Sequence, residues 1–258
     1  METTYSNPIK TDTILQLDDI CFSYHSLAGE TNVLNNLSFS VKEGEFIAIV
    51  GPSGCGKSTL LNIICGLLTP RSGKRTIPEG TSIGYMLQRD HLFEWRTIYE
   101  NVTLGLEIQN KKDPENEEYV LSLLENYGLI DFKDKKPSEL SGGMKQRAAL
   151  IRTMALHPQI LLLDEPFSAL DYQTRLMVSS DIGRLIRSTN KTAILVTHNL
   201  SEAISLADRV LVLSKRPSTI REAFDIHLTL PDDSLLAYRR APEFQDYFNN
   251  IWELLLDE

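Results

Sequence analysis

An eight-residue stretch rich in glycine constrains this chain more than any other part of its sequence. It reads GPSGCGKS, matches the pattern G-x-x-x-x-G-K-[ST], and stands between an apolar run (46–50) and a segment with helical spacing (57–68). Its members, with the threonine that follows, are Gly51, Pro52, Ser53, Gly54, Cys55, Gly56, Lys57, Ser58 and Thr59. Glycines let successive backbone N–H groups point into one concavity, where the helix N-terminus adds positive potential. The sequence therefore predicts a strand, a phosphate-binding loop and a helix, in that order.

A nucleoside triphosphate is the ligand expected in such a loop. Lys57 would reach the β- and γ-phosphates, and Ser58 would give its hydroxyl oxygen to Mg²⁺. Asp164 ends a second apolar run (160–163), where its carboxylate would hold Mg²⁺ through a water. Glu165 follows at once and is placed to polarise the water that attacks the γ-phosphate. These residues predict phosphoryl chemistry with ATP and Mg²⁺.

The fold class follows from short apolar runs that alternate with helical segments. Runs at 46–50, 160–163, 193–196 and 210–213 are typical of buried strands, so we expect an α/β fold with a mainly parallel sheet. Residues 89–158 contain no convincing buried strand, and Thr97 and Glu100 have capping-box spacing that predicts a helix to about Gln109. A second helix is expected after the polar stretch 113–118. We therefore predict one domain over 1–258, with a core formed by 1–88 and 159–258 and an inserted helical subdomain at 89–158.

Charge and cysteine content exclude several other classes of protein. The net charge of −9 argues against broad electrostatic capture of nucleic acid. The three cysteines form no CxxC pair, so neither a disulfide framework nor a zinc site is indicated. The first ten residues lack the apolar stretch of a signal peptide, and no apolar run is long enough to span a membrane. We expect a soluble chain that would reach a membrane only through a partner.

The stretch from Leu140 to Arg147 reads LSGGMKQR and resembles the signature of ATP-binding cassette (ABC) ATPases. Ser141 is a good helix N-cap, and Gly142 and Gly143 beside it form a second place where an anion can be accepted. Together with the phosphate-binding loop and Asp164, this stretch makes the resemblance specific. It implies a P-loop NTPase core with an N-terminal antiparallel β portion.

Further residues match the family one by one. Gln88 resembles the glutamine that joins the nucleotide site to the helical subdomain and ligates the metal, and His198 resembles the switch histidine at the γ-phosphate. Asp171, in the stretch Ser168-Ala169-Leu170-Asp171, resembles the loop that meets the opposite subunit. Tyr24 resembles the aromatic residue that stacks on adenine, although nearby Phe22 competes for that role and packing is the alternative.

The resemblance covers about 14–256 and extends to a branch of the family. Stretches after Gln88, around Lys145, at 165–171 and at 239–244 are similar to the nitrate, sulfonate and taurine importers. Glu94 and Tyr99 are unusual in the first of them. In the ABC family two ATPase copies sandwich ATP between the phosphate-binding loop of one and the signature of the other. The resemblance implies a homodimer at the cytoplasmic face of the membrane, bound to permease subunits and served by an extracytoplasmic substrate-binding protein.

Two other functions remain as alternatives. A soluble ABC ATPase of DNA repair or translation would usually carry a coiled-coil insertion, zinc-binding cysteines, a basic face or tandem cassettes, and the sequence has none of them. An ordinary P-loop kinase or GTPase leaves the signature stretch unexplained, and the stretch 190–193 lacks the aspartate of the guanine-specificity motif.

Three expectations concern individual side chains. Cys55 lies beside Lys57 and a helix N-terminus, which favour the thiolate, so we expect a reactive sulfur unless it is turned inward. Leu92, Phe93 and Trp95 are candidates for a permease contact, with core packing as the alternative for Trp95. The apolar positions of 244–255 have helical spacing, which indicates a helix packed on its own domain more than a partner surface.

Overall fold

A six-stranded sheet forms the centre of the computed structural model, which describes residues 12–27, 29–168, 170–189, 191–229 and 237–256. Its strands are β3 (Phe46–Val50), β5 (Ile83–Met86), β6 (Ile160–Asp164), β7 (Thr192–Val196), β8 (Arg209–Leu213) and β9 (Ile220–Asp225). Their order is β5-β6-β7-β3-β8-β9, and all neighbours pair in parallel except the β8–β9 pair. The carboxyl ends of β5, β6, β7 and β3 therefore meet at one edge of the sheet.

Alternate residues of β3 enter two different hydrophobic cores. Phe46, Ala48 and Val50 pack into the core that also holds the helical segment, whereas Ile47 and Ile49 pack into the core shared with the N-terminal strands. Successive side chains of a strand point to opposite faces, so a strand covered on both faces must be apolar at every position. This explains why the predicted strands are continuous apolar runs.

The N-terminal strands form a separate antiparallel sheet over the second of these cores. Strands β1 (Thr13–Ser26), β2 (Gly29–Lys42) and β4 (Ser72–Thr76) pair in the order β2-β1-β4. Their buried side chains, among them Leu15, Leu17 and Leu37, pack against helix α1 (Lys57–Ile64) and the central sheet. The predicted α/β class, with a mainly parallel sheet and an N-terminal antiparallel portion, is confirmed.

Between β5 and β6 the chain forms helices and turns, with no strand among residues 87–159. The helices are α2 (Ile98–Val102), α3 (Leu104–Ile108), α4 (Pro114–Asn126) and α5 (Gly142–Met154). The predicted capping box is present, since Glu100 N donates to Thr97 Oγ1 (3.1 Å) and Thr97 N to Glu100 Oε2 (2.7 Å). The single helix predicted from there to Gln109 is wrong, because it is interrupted at Thr103, whose hydroxyl bonds back to the Tyr99 carbonyl.

Two further helix boundaries differ from the prediction. Helix α1 ends at Ile64 and not near Leu68, because Gly66 adopts a left-handed conformation (φ 82°) and its N–H closes onto the Ile63 carbonyl. Helix α4 begins inside the polar stretch that was expected to precede it. Asp113 is its N-cap and Pro114 its first residue, and acidic residues in a first turn are favourable beside the helix dipole.

The remaining helices lie beside the same core as the helical segment, on the face of the central sheet opposite to α1 and the N-terminal strands. They are α6 (Tyr172–Ser188), α7 (Leu200–Leu206), α8 (Ala237–Arg240) and α9 (Phe244–Leu256). Helix α9 buries Phe244 and Ile251 in the core, as the packed alternative predicted, while Trp252 stays half exposed at the end of a row of stacked rings with Phe244 and Phe248. Among the described residues no helix is long and apolar enough to cross a bilayer.

Candidate functional site

The glycine-rich loop joins the end of β3 to the start of α1, as the sequence predicts. Two of its glycines have positive φ, 77° at Gly54 and 114° at Gly56. A Cβ atom at Gly56 would lie 2.6 Å from Val33 Cγ1, and one at Gly51 would lie 3.0 Å from both Cys55 Sγ and Leu213 Cβ. The loop is thus wound tightly against its neighbours at positions where a larger residue has no room.

Lys57 fixes the shape of this loop from within. Its buried ammonium donates to the carbonyls of Gly51 (2.8 Å) and Pro52 (3.0 Å), on the far side of the turn. An ammonium carries three donors, and besides the two carbonyls it has only the weak contact to Cys55 Sγ at 4.0 Å. The lysine therefore supplies both a structural tie and a positive charge beside the backbone concavity.

Ser58 and Asp164 meet between α1 and the end of β6. Ser58 Oγ donates to Asp164 Oδ1 (3.1 Å), and the Tyr85 hydroxyl donates to Asp164 Oδ2 (3.4 Å). Burial raises the pKa of Asp164, and the hydrogen bond from Ser58 opposes that shift. A hydroxyl and a carboxylate oxygen are the kind of ligands that Mg²⁺ prefers, so the donor set fits this ion.

Glu165, His198 and Gln88 converge beside that pair. His198 Nδ1 lies 3.2 Å from Glu165 Oε2, and Gln88 Nε2 donates to the same oxygen at 3.3 Å. Glu165 has a positive φ of 45°, and its N–H bonds to the Val196 carbonyl (2.8 Å), so its backbone is held against the end of β7. The amide of Gln88 contacts this glutamate, whereas the two other predicted metal ligands, Ser58 and Asp164, contact each other.

Tyr24 reaches the same region from β1. Its hydroxyl lies 3.3 Å from Thr59 Oγ1, and its ring packs edge-on against Phe22 at 4.9 Å between centroids. Phe22 is buried, whereas Tyr24 is 45% exposed. Of the two aromatic residues that compete for the adenine position, Tyr24 is therefore the one with a free face.

These side chains line one cleft of about 480 Å³. The lining residues are Tyr24, Val33, Ser53, Gly54, Gly56, Lys57, Ser58, Thr59, Gln88, Glu165, His198 and Arg216. A cleft of about 710 Å³ beside Arg147 and Arg184 is larger, so volume alone does not select the site. The phosphate-binding loop and the convergence of Lys57 and Glu165 distinguish the smaller one.

Eight predicted site residues do not line this cleft. Gly51, Pro52, Cys55 and Asp164 lie in the loop or beside it, whereas the other four lie elsewhere in the described structure. Ser141 caps α5 by accepting from Met144 N (3.4 Å), with Gly142 and Gly143 in the first turn. Asp171 accepts from the N–H groups of Gln173 and Thr174 (3.1 Å each), and the bonds from Thr174 lower its pKa. Ala169, from the same predicted stretch, lies outside the described residues.

Comparison with known proteins agrees with this geometry. A family profile described as "ABC transporter" matches residues 34–168. The uncharacterized ABC transporter ATP-binding protein YtlC of Bacillus subtilis is 45% identical over 250 residues, covering 94% of this chain and 96% of that protein. The chain belongs to the ABC transporter family. The resemblance inferred from the signature and the ATPase activity expected from the phosphate-binding loop are thereby confirmed.

Two further relatives of the ABC ATPase bear on its branch and its assembly. The nitrate import ATP-binding protein NrtD of Synechocystis is 38% identical, covering 93% of this chain and 94% of that protein. The dimeric structure of the ATP-binding cassette MJ0796 in a post-hydrolysis state with ADP and phosphate superimposes with a TM-score of 0.72 and 31% identity. The match covers 83% of this chain and 99% of the MJ0796 chain.

The ABC ATPase also has two cleft residues that the motifs did not indicate. Val33 belongs to β2, and Arg216 lies in the turn after β8, where its guanidinium would be 3.7 Å from a Cβ at Gly54. Ser218 ties this turn to the loop, because its hydroxyl donates to the Cys55 carbonyl and its N–H to the Val33 carbonyl. The available sequence signal was a pair of cations, Lys215 and Arg216, directly before Pro217 and shortly after an apolar run.

The expectation of an accessible thiol at Cys55 is wrong in this ABC ATPase. The side chain is 2% exposed and belongs to the core between the two sheets. Its sulfur packs toward Gly51 and lies 4.0 Å from Lys57 Nζ, beneath the loop. The inward alternative is correct, because the winding of the loop directs this side chain away from the cleft.

Proposed function

We propose that the chain is the ATP-hydrolysing subunit of an ABC importer, working as a pair of identical copies with Mg²⁺. Membership of the ABC family and the likeness to a nitrate import protein support this assignment. The transported solute would be small and similar to nitrate, a sulfonate or taurine. The alternative of a soluble ABC ATPase in DNA repair or translation has no observation in its favour.

The observation that carries the two-copy proposal is the incomplete cleft. Lys57, Ser58 and Glu165 line it, but Ser141, Gly142, Gly143 and Asp171 do not. The N-terminus of α5 presents N–H groups and two small residues that can approach an anion closely. A second copy would bring its Ser141 and Gly143 to the open side of the triphosphate.

Within one copy the residues divide the work of holding ATP. The backbone of 51–56 and the Lys57 ammonium would bind the β- and γ-phosphates, and the exposed face of Tyr24 would stack on adenine. Thr59, whose hydroxyl contacts that of Tyr24, would fix the tyrosine relative to α1. Ser58, Asp164 and Gln88 would hold Mg²⁺, which neutralises charge on the phosphates when it is bound.

Hydrolysis would depend on the three groups that converge at Glu165 Oε2. Glu165 is the proposed general base for the attacking water, because its carboxylate faces the cleft at the end of β6. His198, 3.2 Å away, would contact the γ-phosphate and keep the carboxylate in place. Gln88 would link this site to the helical subdomain, which we propose to delimit at 89–158.

The partner surface would lie on that subdomain. Trp95 is 71% exposed and Phe93 packs against it at 4.7 Å, whereas Leu92 is buried in the core. We therefore assign the permease contact to Trp95 and Phe93. The subunit would then sit at the cytoplasmic face of the membrane, held by the permease, with an extracytoplasmic substrate-binding protein on the other side of the complex.

Gly142→Glu tests whether a second copy completes the site. A Cβ at Gly142 would find only Leu170 Cδ2 at 3.8 Å, so the substitution fits the single chain. We expect unchanged binding of ATP to the monomer but loss of ATP-driven dimers and of turnover by about 100-fold, because a carboxylate would face the triphosphate. Nucleotide titration, light scattering and phosphate release measure the three quantities.

Ser122→Glu, an added carboxylate at an exposed position of α4, is the matched control. It should behave as the unmodified chain in all three measurements. Full turnover by Gly142→Glu would mean that one chain hydrolyses ATP alone, and the two-copy proposal would be lost.

Arg216→Ala should weaken ATP binding by about tenfold, because a guanidinium beside Gly54 attracts phosphate oxygens. Arg216→Lys should retain part of the affinity, since the charge stays but the planar fork is lost. Isothermal titration with ATP and with adenosine separates the effects: adenosine, which has no phosphate, should bind all three proteins equally. If either variant also binds adenosine more weakly, the substitution disturbs the fold and does not remove a phosphate contact.

A further inference from the structure

The turn that carries His198 is held by a buried carboxylate outside the cleft. Glu202 lies in the first turn of α7, is 8% exposed, and accepts hydrogen bonds from the residues on both sides of the histidine. Thr197 Oγ1 donates to Glu202 Oε2 (2.8 Å), and Asn199 Nδ2 donates to Glu202 Oε1 (3.0 Å). The two residues that flank His198 are thus tied through their side chains to one carboxylate.

Helix capping does not account for this carboxylate. The side-chain oxygen of Asn199 already accepts from the N–H groups of Ser201 (3.0 Å) and Glu202 (3.4 Å), which satisfies the start of α7. Burying a carboxylate is unfavourable unless it is paired and hydrogen-bonded. Burial raises the pKa of Glu202, while the bond from Thr197 and the charge of Arg175 oppose that shift. A capped helix could begin here without such a charge.

Arg175 extends the contacts to a second segment of the site. Its Nε lies 3.9 Å from Glu202 Oε1, and its Nη2 donates to the carbonyls of Leu170 (2.9 Å) and Ser168 (3.4 Å). Ser168 in turn donates through Oγ to the Glu165 carbonyl (3.0 Å). The contacts that start at the His198 turn therefore end at the backbone of the glutamate that His198 touches.

We propose that Glu202 is a positioning residue for ATP hydrolysis, which holds the turn 197–199 so that His198 Nδ1 stays against Glu165 Oε2. Through Arg175 it also ties this turn to the segment that ends at Asp171, which would face the second copy. Glu202 touches neither ATP nor the attacking water and acts through His198. The inference rests on the proposed roles of His198 and Glu165.

Glu202→Gln is the first variant, because it keeps the size of the side chain and removes its charge. The amide can accept from Asn199 Nδ2 and donate to Thr197 Oγ1, but only as neutral hydrogen bonds, so the charge-assisted bond from Thr197 and the attraction to Arg175 are lost. We expect kcat to fall about tenfold, the size expected for one hydrogen bond to a charged group, with KM for ATP and the unfolding temperature unchanged. A merely structural role would lower the unfolding temperature together with kcat.

The deciding measurement repeats Glu202→Gln in a His198→Ala background, by single-turnover hydrolysis of radiolabelled ATP over hours. If Glu202 acts through the histidine, its substitution has no further effect once the imidazole is absent. A tenfold loss in both backgrounds, or in neither, would overturn the proposal. If Glu202→Gln does not fold, Thr197→Val keeps the carboxylate and removes the hydroxyl that donates to it and accepts from Asn199 N. It should give the same result in the same pair of backgrounds.

Two controls separate this proposal from the function on which it rests. Glu45→Gln removes another partly buried carboxylate, paired with Arg209 at 2.8 Å before the start of β3, and should leave kcat unchanged. His198→Ala alone should lower kcat strongly. If His198→Ala leaves kcat unchanged, the proposed role of His198 is wrong. If His198→Ala lowers kcat strongly but Glu202→Gln has the same effect in both backgrounds, only the positioning role of Glu202 is rejected.

Discussion

Glu165→Gln is expected to bind ATP and to hydrolyse it about 100- to 10,000-fold more slowly than the unmodified chain. Glutamine keeps the shape of the side chain but cannot take a proton from water. The phosphate-binding loop, Lys57 and the Ser58–Asp164 pair are untouched, so the triphosphate remains bound. ATP should therefore accumulate between two copies, and size-exclusion chromatography with light scattering should show a dimer with Mg-ATP but not with ADP.

Glu222→Gln, an exposed glutamate on β9, is the control and should change neither turnover nor assembly. Undiminished phosphate release by Glu165→Gln would remove this residue from the role of base. If Glu165→Gln binds ATP but stays monomeric, Glu165 can still be the base, but the proposal that two copies share the ATP site is contradicted.

Lys57→Ala should weaken ATP binding by about 10- to 150-fold, the range expected for a hydrogen bond to a charged group. The substitution removes the cation beside the concavity and both ties to the carbonyls of Gly51 and Pro52. Turnover should fall below detection because the β- and γ-phosphates are no longer neutralised. Titration with ATP, ADP and AMP measures the effect, which should be smallest for AMP.

Lys74→Ala, on the exposed face of β4, is the control for loss of one positive charge. The unfolding temperature of Lys57→Ala distinguishes lost phosphate contact from a collapsed loop. Unchanged affinity at unchanged stability would contradict the assignment of the phosphate-binding loop.

The central sheet and the residues at its edge were predictable from local patterns. Asp164 and His198 each follow a run of buried apolar residues, and parallel strands place such positions at one edge. The phosphate-binding loop is specified by its glycines, two of which adopt positive φ values that other residues rarely adopt. For these residues a short stretch of sequence determines both the backbone conformation and the location in the fold.

Other features depend on contacts between residues that are distant in the sequence, and a local sequence pattern does not predict these contacts. Gly105 packs so closely on Leu156 that a Cβ would lie 2.9 Å from its side chain, in the helical region that the sequence predicted as one continuous helix. Cys55 has the neighbours of a reactive thiol but is turned into the core by the winding of the loop. Arg216 reaches the cleft because Ser218 ties its turn to the loop, and that tie joins distant parts of the chain.

The order of strands in the central sheet has a consequence for how the chain folds. The nucleotide cleft is lined by Gly54, Gln88, Glu165 and His198, which lie just beyond the carboxyl ends of β3, β5, β6 and β7. Parallel strands pair only after long loops have closed, so we expect this site to form only once these strands have come together. ATP then binds only chains whose sheet is complete, and by mass action it raises the stability of the whole domain and not of one loop.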